Sequence, residues 1–217
     1  MSPLIETPIT ASEKTFIILR NDIVEGRIIA GSKLNEAELS TKYAVSRAII
    51  RESINKLENT LLVERKANVG AKVVTLTKSG LIQLYQVRES LEGMAARLAA
   101  LNMQENEVAQ LQTLLDTHSS KVKDSLLYYQ EAGDVDFHYR VVLGSHNQQL
   151  ISMLMNNIYH LVRMYRVQLG MAGPRVTTAF SEHQQIVQAI LNKDPELAEM
   201  LMRRHIAHSR NTIEAKL

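Results

Sequence analysis

The chain has 217 residues, of which 45% are hydrophobic and 22% charged, and it contains no cysteine. This length suits one large domain or two small ones, and the lack of cysteine excludes disulfides and thiolate metal sites. The N-terminal residues lack the pattern of a signal peptide, and no apolar stretch approaches about 18 residues, so we expect a soluble, cytoplasmic protein. The net charge of +2 is too small to indicate nucleic-acid binding. An argument for nucleic-acid binding therefore depends on the positions of a few arginines in the sequence.

The first part of the chain has the pattern of two short helices and a hairpin. Residues 1–10 hold two prolines and no periodicity, which predicts a flexible arm, and one helix follows it. Two further apolar patterns meet near Ala44, and the second begins directly after Ser46, whose hydroxyl suits a helix N-cap. A strand, a turn that ends at Gly70 and a returning strand come next.

The second of these short helices has a polar face of the kind that reads DNA. Arg47, Arg51 and Asn55 recur every four residues, so they lie on one side of the helix. A helix fits the major groove, and arginine pairs bidentately with guanine or with phosphate, so we predict a winged helix-turn-helix. The predicted DNA-contacting residues are Ser46, Arg47, Arg51, Asn55, Arg65, Lys66 and Gly70. The alternative is a helix pair packed on a β-hairpin, with Arg47 and Arg51 simply solvated.

From about residue 77 the apolar residues keep a helical period to the end of the chain. The first two of six predicted helices cover about 79–101 and the stretch opened by a capping box at 102–105. The others cover about 125–144, 147–170, 176–191 and 195–215. Short loops and the lack of a strand signal predict an antiparallel bundle. The expected fold is therefore mainly α, with a winged helix-turn-helix at 11–76 and an all-helical antiparallel bundle at 77–217.

Four residues of the bundle have the spacing of a metal site. Asp134 and His138 are four apart, so one helix presents a carboxylate and an imidazole on the same face. His183 lies about nine residues before the turn at 192–195 and His205 about ten after it, which places both at one level of an antiparallel pair. This N/O ligand set suits Zn²⁺, Ni²⁺, Fe²⁺ or Mn²⁺, with Zn²⁺ and Ni²⁺ as first candidates.

Two other interpretations of these histidines stay open. Each could be an ordinary core or surface residue, and His208 is close enough in sequence to compete with His205. A metal site with an open position could also activate water, as in a metal-dependent helical hydrolase or isomerase with an N-terminal interaction module. Against an enzyme, no separate carboxylate is placed as a general base, because Asp136 is two residues from Asp134 and faces elsewhere.

A family resemblance runs along the first part of the chain. It rests on Ile23, Gly26, Gly31, Leu34, Glu36, Leu39, Val45, Ser46, Arg47, Arg51, Glu52, Leu57, Leu62, Val63, Gly70 and Val73. With these residues the segment resembles the N-terminal winged helix of the GntR family of bacterial repressors. The chain departs from that pattern at Ala30, where the family has proline, and at Ala44, where it has the turn glycine. It also has Ala37 where many members carry a DNA-contacting arginine, so that contact has no counterpart here.

The second part resembles another module of the same regulators. The segments LYQVRESLEGMAARLAA, DVDFHYRVVLGSHNQQL and SEHQQIVQAILNKDPELAEMLMRRHI are similar to the FCD effector domain of the FadR subfamily of GntR regulators. In FCD domains that hold metal, the ligands occupy the positions of Asp134, His138, His183 and His205. Members that bind fatty acyl groups lack this set. The resemblance also implies that Arg88 points toward the metal-side cavity, where it would pair with a carboxylate.

A metal beside an arginine is a receptor for a carboxylate, and this predicts the class of effector. The predicted effector-binding residues are Arg88, Tyr85, Arg140, Asn157, Arg163 and Tyr165, and the alternative is that these lie on solvated surface or a dimer face. The runs YHLVRMYR, QLYQVRESLEGMAARLAA and YYQEAGDVDFHYR most resemble the GntR-type regulators of the 2-methylcitrate cycle of propionate breakdown, which implies an effector such as 2-methylcitrate. The expected protein is a homodimeric, ligand-switched repressor of double-stranded operator DNA, with no enzymatic activity and no membrane partner.

Overall fold

The computed structural model describes residues 9–66, 70–124, 137–169 and 175–217. The chain forms two compact units, Met1–Thr75 and Leu76–Leu217. The elements of the first unit are α1 (Ala11–Val24), α2 (Glu36–Tyr43), α3 (Arg47–Asn59), β1 (Val63–Lys66) and β2 (Gly70–Val73). Most of the predicted N-terminal arm lies outside the described residues, and Thr10 at its end caps α1.

The two short helices begin at polar side chains that satisfy free backbone N–H groups. The Asn35 side-chain oxygen accepts from the Ala37 N–H at 2.9 Å, and α2 starts there. The Ser46 hydroxyl accepts from the Ile49 N–H at 3.3 Å, so α3 starts at the predicted N-cap. Between the helices Ala44 has a φ of 54°, in the left-handed region that usually favours glycine. These local interactions form the helix-turn-helix.

The wing follows the second of these helices directly. Strands β1 and β2 pair antiparallel, with Val63 opposite Val73 and Lys66 opposite Gly70. Lys33 forms an isolated β-bridge with Lys72 of β2, so the segment before α2 pairs with the wing. The buried side chains of this unit include Leu19, Ile23, Ile50, Ile54, Leu57, Leu62 and Val73. They hold α3 against α1 and leave its polar face outside.

The second unit is helical throughout its described residues. Its elements are α4 (Lys78–Asn102), α5 (Glu105–Asp124), α6 (Phe137–Gly144), α7 (Gln148–Ser152), a π-helical turn (Met153–Ile158), α8 (Tyr159–Leu169), α9 (Arg175–Leu191) and α10 (Pro195–Glu214). The helix predicted at 147–170 is thus interrupted by a π turn. Of the helix predicted at 125–144, the part before residue 137 lies outside the described residues. The predicted mainly helical class, with a winged helix-turn-helix followed by a helical unit, is confirmed.

Side-chain caps are seen at the starts of α4, α7 and α10. The Thr77 hydroxyl accepts from the Gly80 N–H at 3.1 Å, and the Asp194 carboxylate accepts from the Leu197 N–H at 3.0 Å. The capping box predicted at 102–105 was wrong by two residues. The Gln104 N–H instead donates to the Glu107 carboxylate at 2.8 Å, because α5 begins at Glu105.

Helix α4 is the centre of this unit, and α6, α9 and α10 pack against it. Gly93 allows a close approach of α10, since a Cβ at this position would lie 2.6 Å from the Arg203 side chain. The core includes Leu81, Tyr85, Ala96, Phe137, Val141, Ile186, Ile190, Met202 and Ile206. Within the described ranges, no helix is both long and apolar enough to cross a membrane.

Candidate metal centre and DNA-binding face

Three buried histidines converge at the middle of the second unit. His138 comes from α6, His183 from α9 and His205 from α10, and each is at most 3% exposed. The Nε2 atom of His205 lies 3.2 Å from that of His183 and 3.1 Å from that of His138. One ligand atom of each histidine lies within 4.8 Å of the others, the arrangement of a group that could hold a metal ion. The fourth predicted ligand, Asp134, lies outside the described residues.

Two carboxylates set the orientation of this cluster. Glu92 Oε2 lies 2.6 Å from His138 Nδ1, and Glu182 Oε2 lies 2.7 Å from His205 Nδ1. An ionised carboxylate only accepts hydrogen bonds, so each Nδ1 carries the proton and each Nε2 keeps its lone pair. The lone pairs of His138 Nε2 and His205 Nε2 therefore face each other at 3.1 Å and repel. A cation between them removes this repulsion, so the donor set fits a transition metal.

The spacing of the nitrogens gives a second test of this fit. Nitrogen ligands at about 2.1 Å from a tetrahedral Zn²⁺ are separated from each other by about 3.4 Å. The observed separations of 3.1 and 3.2 Å are close to that value. Neutral imidazoles suit both Zn²⁺ and Ni²⁺, so the geometry fits a metal without selecting one.

Glu92 is a site residue that the sequence prediction missed. It is 4% exposed on α4, where Arg88 and Glu92 form a buried ion pair at a four-residue spacing. Burial raises the pKa of Glu92, but the charge of Arg88 and the hydrogen bonds from His138 and Arg88 outweigh burial and lower this pKa to about 2. A glutamate within the apolar stripe of α4, four residues after Arg88, is the signal that could have identified it.

Tyr85 and Arg88 extend the metal cluster along α4. The Tyr85 ring is fully buried, and the Arg88 guanidinium carbon lies 5.2 Å from its centroid. The Tyr85 hydroxyl has no hydrogen-bond partner among the described residues. Contacts therefore run without a gap from Tyr85 through Arg88 and Glu92 to His138. Two of the six predicted effector-binding residues are thus joined to the histidine cluster.

The other predicted effector-binding residues are placed differently. Tyr165 donates to the Thr77 carbonyl at 3.0 Å and accepts from the Thr77 N–H at 3.2 Å, so it anchors the start of α4. Burial raises the pKa of Tyr165. Asn157 is exposed on the π turn, while Arg140 on α6 and Arg163 on α8 are half-buried. The predicted effector role of Tyr165 therefore competes with a structural one.

The predicted DNA-binding residues form one face of the first unit. Arg47 is exposed at the first position of α3, and Arg51 follows one turn later. Arg51 donates to both oxygens of Glu36, with Nε–Oε1 at 3.0 Å and Nη2–Oε2 at 2.7 Å. Arg65 of the wing donates to the Asn55 side-chain oxygen at 2.8 Å, which ties β1 to α3.

Carboxylates on this face were not predicted from the sequence. Arg65 Nε also donates to Glu58 Oε1 at 3.0 Å, so a second arginine of the face is held by a glutamate. Lys66 and Gly70 oppose each other at the open end of the wing. The arginines are therefore arranged by neighbouring acids before any DNA is bound.

Two protein families match this chain. Residues 11–73 match "Bacterial regulatory proteins, gntR family", and residues 83–208 match "FCD domain". Among curated proteins, the "Probable D-xylose utilization operon transcriptional repressor" of Paenarthrobacter nicotinovorans is 26% identical, over 94% of this chain and 88% of the relative. The "Uncharacterized HTH-type transcriptional regulator BphR" of Paraburkholderia xenovorans is 30% identical, over 91% of this chain and 82% of the relative.

A solved structure supports the fold independently. The structure of "E. coli McbR/YncC" superposes with a TM-score of 0.74 and covers 94% of this chain and 97% of that one. Its sequence identity of 17% means that this likeness concerns the fold alone.

Proposed function

This chain belongs to the gntR family of bacterial regulatory proteins, and on that premise we propose that it is a homodimeric repressor. Binding of a small carboxylate effector releases this repressor from its operator DNA. Its second unit is an FCD domain. The observation that carries the proposal is the convergence of three buried histidines in that domain, two of which are oriented by carboxylates. The curated relatives are regulators and repressors of operons, which supports repression as the mode of action.

Membership of this family also decides between the two function classes considered from the sequence. GntR-type proteins are transcriptional regulators, so the chain is not an enzyme and the metal-dependent hydrolase or isomerase is set aside. The metal site then serves ligand binding or structure rather than turnover. Within the family we assign the chain to the FadR subfamily, as the resemblance of its FCD domain implies.

We propose that His138, His183 and His205 hold a divalent transition metal, with Asp134 as a fourth ligand and Zn²⁺ or Ni²⁺ as the ion. When bound, the metal supplies a positive centre that accepts an oxygen of a carboxylate. Glu92 keeps the proton of His138 on Nδ1, and Glu182 does the same for His205. Such orienting carboxylates raise the basicity of the metal-facing nitrogen.

The proposed effector is a small acid that binds beside this cluster, next to Tyr85 and Arg88. A buried hydroxyl without a hydrogen-bond partner costs about 1–3 kcal/mol of stability. The Tyr85 hydroxyl, which has no such partner among the described residues, therefore favours a ligand or water that hydrogen-bonds to it. Arg88 lies between Tyr85 and Glu92 and offers the charge that a carboxylate needs. The remaining candidates are Arg140, Asn157, Arg163 and Tyr165. The tricarboxylate 2-methylcitrate is our specific candidate.

A second copy of the chain is the proposed partner of α4. Val87, Met94 and Leu101 are seven residues apart and 49%, 41% and 55% exposed, so they form a line of apolar side chains on the outer face of the helix. Two such faces related by a twofold axis would bury each other. A dimer would also present two winged helices to a palindromic operator, which raises specificity beyond that of a single module.

The proposal is tested by measuring how the purified protein binds a DNA duplex that it selects from a random pool. Arg47→Ala and Arg51→Ala should each weaken binding to this duplex about tenfold, because each removes a predicted groove contact. Arg210→Ala, an equal charge loss in the second unit, should have little effect. Selective binding that survives both substitutions on α3 would count against the assigned recognition helix.

Effector class is tested in the same assay with Zn²⁺ or Ni²⁺ present. Citrate and 2-methylcitrate should lower operator affinity, by a coupling of about 1–3 kcal/mol if typical of allosteric proteins. Propionate tests whether a single carboxylate is enough. Release by a fatty acyl-CoA alone, with no response to the acids, would contradict the carboxylate proposal.

A further inference from the structure

Glu36 is an acidic residue on the face that is proposed to meet DNA, and this requires an explanation. It is the first residue of α2, and both of its carboxylate oxygens accept hydrogen bonds from Arg51 of α3. A negative charge at such a position opposes the phosphate backbone and lowers non-specific affinity. Its side chain is 29% exposed and that of Arg51 is 62% exposed. Exposed ion pairs of this kind contribute little to stability, so stability does not account for the pair.

The charges around Glu36 favour its ionised form. The hydrogen bond from Arg51 lowers the pKa of Glu36, and the charges of Arg51, Arg65 and Arg47 lower it further. Glu36 therefore stays ionised, and it holds the guanidinium group of Arg51 on this face in the free protein.

The hydrogen-bond geometry leaves part of Arg51 available. A guanidinium group has five N–H donors in a planar fork. Glu36 accepts from Nε and Nη2, so both Nη1 donors and one Nη2 donor remain. Two parallel donors are what guanine O6 and N7 require. The plane and direction of these donors are set by Glu36, because a bidentate pair fixes both.

We infer that Glu36 is a specificity-determining positioning residue, which acts through Arg51 by holding its guanidinium in the orientation that reads one base pair. This inference rests on the proposed DNA-binding function. Glu36 does not itself contact the base. It removes the rotational freedom of a long side chain before binding, so that correct and incorrect sequences differ more in affinity.

The test compares Glu36→Gln with Glu38→Gln, which removes the same charge from the same helix. Glu38 is exposed and accepts a hydrogen bond from the Asn35 side chain rather than from an arginine. Affinities are measured by fluorescence anisotropy for a duplex selected by the wild-type protein and for a shuffled duplex of equal length. The ratio of the two affinities should fall about tenfold for Glu36→Gln and stay unchanged for Glu38→Gln. Affinity for the shuffled duplex should not fall for either variant.

A double variant separates positioning from a direct role. In an Arg51→Ala background, Glu36→Gln should cause no further loss of the affinity ratio, since Glu36 acts only through Arg51. The inference is overturned if Glu36→Gln weakens both duplexes equally, if it matches Glu38→Gln, or if it lowers the ratio without Arg51. A wild-type protein that selects no sequence would instead defeat the proposed function itself. Circular dichroism melting curves show whether each variant is folded.

Discussion

At the scale of single residues, the buried Glu92 shows how an ionised carboxylate is tolerated in an apolar core. Arg88 supplies a charge on one side, and the Nδ1–H of His138 supplies a hydrogen bond on the other. These partners offset the desolvation that would otherwise keep the side chain neutral. Glu92 can then hold one tautomer of His138, which leaves the Nε2 lone pair directed at the other two histidines.

We predict that Glu92→Gln lowers Zn²⁺ affinity about 10–100-fold, because the amide cannot stabilise the ligand tautomer as a carboxylate does. Competition with a chromogenic chelator measures this affinity in the full-length protein. Glu89→Gln is the matched control on the same helix, where Glu89 pairs loosely with Arg203 at 3.7 Å. Should Arg88 without its partner prevent folding, Glu182→Gln tests the same role at His205. Unchanged affinity in a folded variant would exclude this role for the carboxylates.

At the scale of elements, the turn between α2 and α3 carries a local strain. Ala44 occupies the left-handed region with a φ of 54°, and its N–H and that of Val45 bond the last carbonyls of α2. This conformation costs a residue with a Cβ about 1–2 kcal/mol, and glycine avoids the cost. The geometry of the turn is therefore kept although the usual glycine is absent.

Ala44→Gly should raise the free energy of unfolding by about 0.5–1 kcal/mol, since the relieved strain exceeds the added entropy of the unfolded chain. Ala48→Gly in the first turn of α3 should lower it by about 0.5 kcal/mol, because glycine has a lower helix propensity than alanine. Urea unfolding followed by helical signal measures both. Both variants replace alanine with glycine, so opposite changes in the free energy of unfolding make the test specific to position 44. Changes of the same sign would refute the strain at Ala44.

A π turn is a second feature at this scale, and periodicity could not foresee it. Asn147 starts the helix as predicted, with its side-chain oxygen accepting from the Leu150 N–H at 3.2 Å. The run then widens at Met153–Ile158 before it returns to an α-helix. Leu150, Leu154 and Ile158 are buried and four residues apart, a spacing that an α-helix also has, so the hydrophobic pattern predicts one continuous helix.

At the scale of the whole molecule, the proposed function requires two chains. A single winged helix contacts few base pairs, and a palindromic operator spaces two half-sites by about one helical turn of DNA. The apolar line of Val87, Met94 and Leu101 is the surface on which we propose that the copies meet.

Met94→Glu should convert the dimer to monomer, because it places a charge at the middle of an apolar interface. Sedimentation velocity measures the oligomeric state, and operator affinity should fall in parallel. Met153→Glu is the matched control, since Met153 is similarly exposed, at 50%, but lies on the π turn. A Met94→Glu protein that remains dimeric would place the interface elsewhere.

Features set by neighbours in the chain were determined by the sequence alone. Helix starts at Ser46, Thr77, Asn147 and Asp194 follow from side chains that bond an N–H three residues away. The convergence of His183 and His205 also followed from counting, because an antiparallel turn fixes the level of residues at equal distances. The resemblance to known regulators extended this to the family and to the proposed metal ligands, of which the structure brings three histidines together.

Contacts between distant elements were decided only by the tertiary structure. The pairs Glu36–Arg51, Glu92–His138 and Tyr165–Thr77 join residues on different elements of their units. A charged or polar residue in a sequence has many possible partners. Which one it meets depends on the axial shift and rotation of packed helices, and these are set by the whole core rather than by any local pattern.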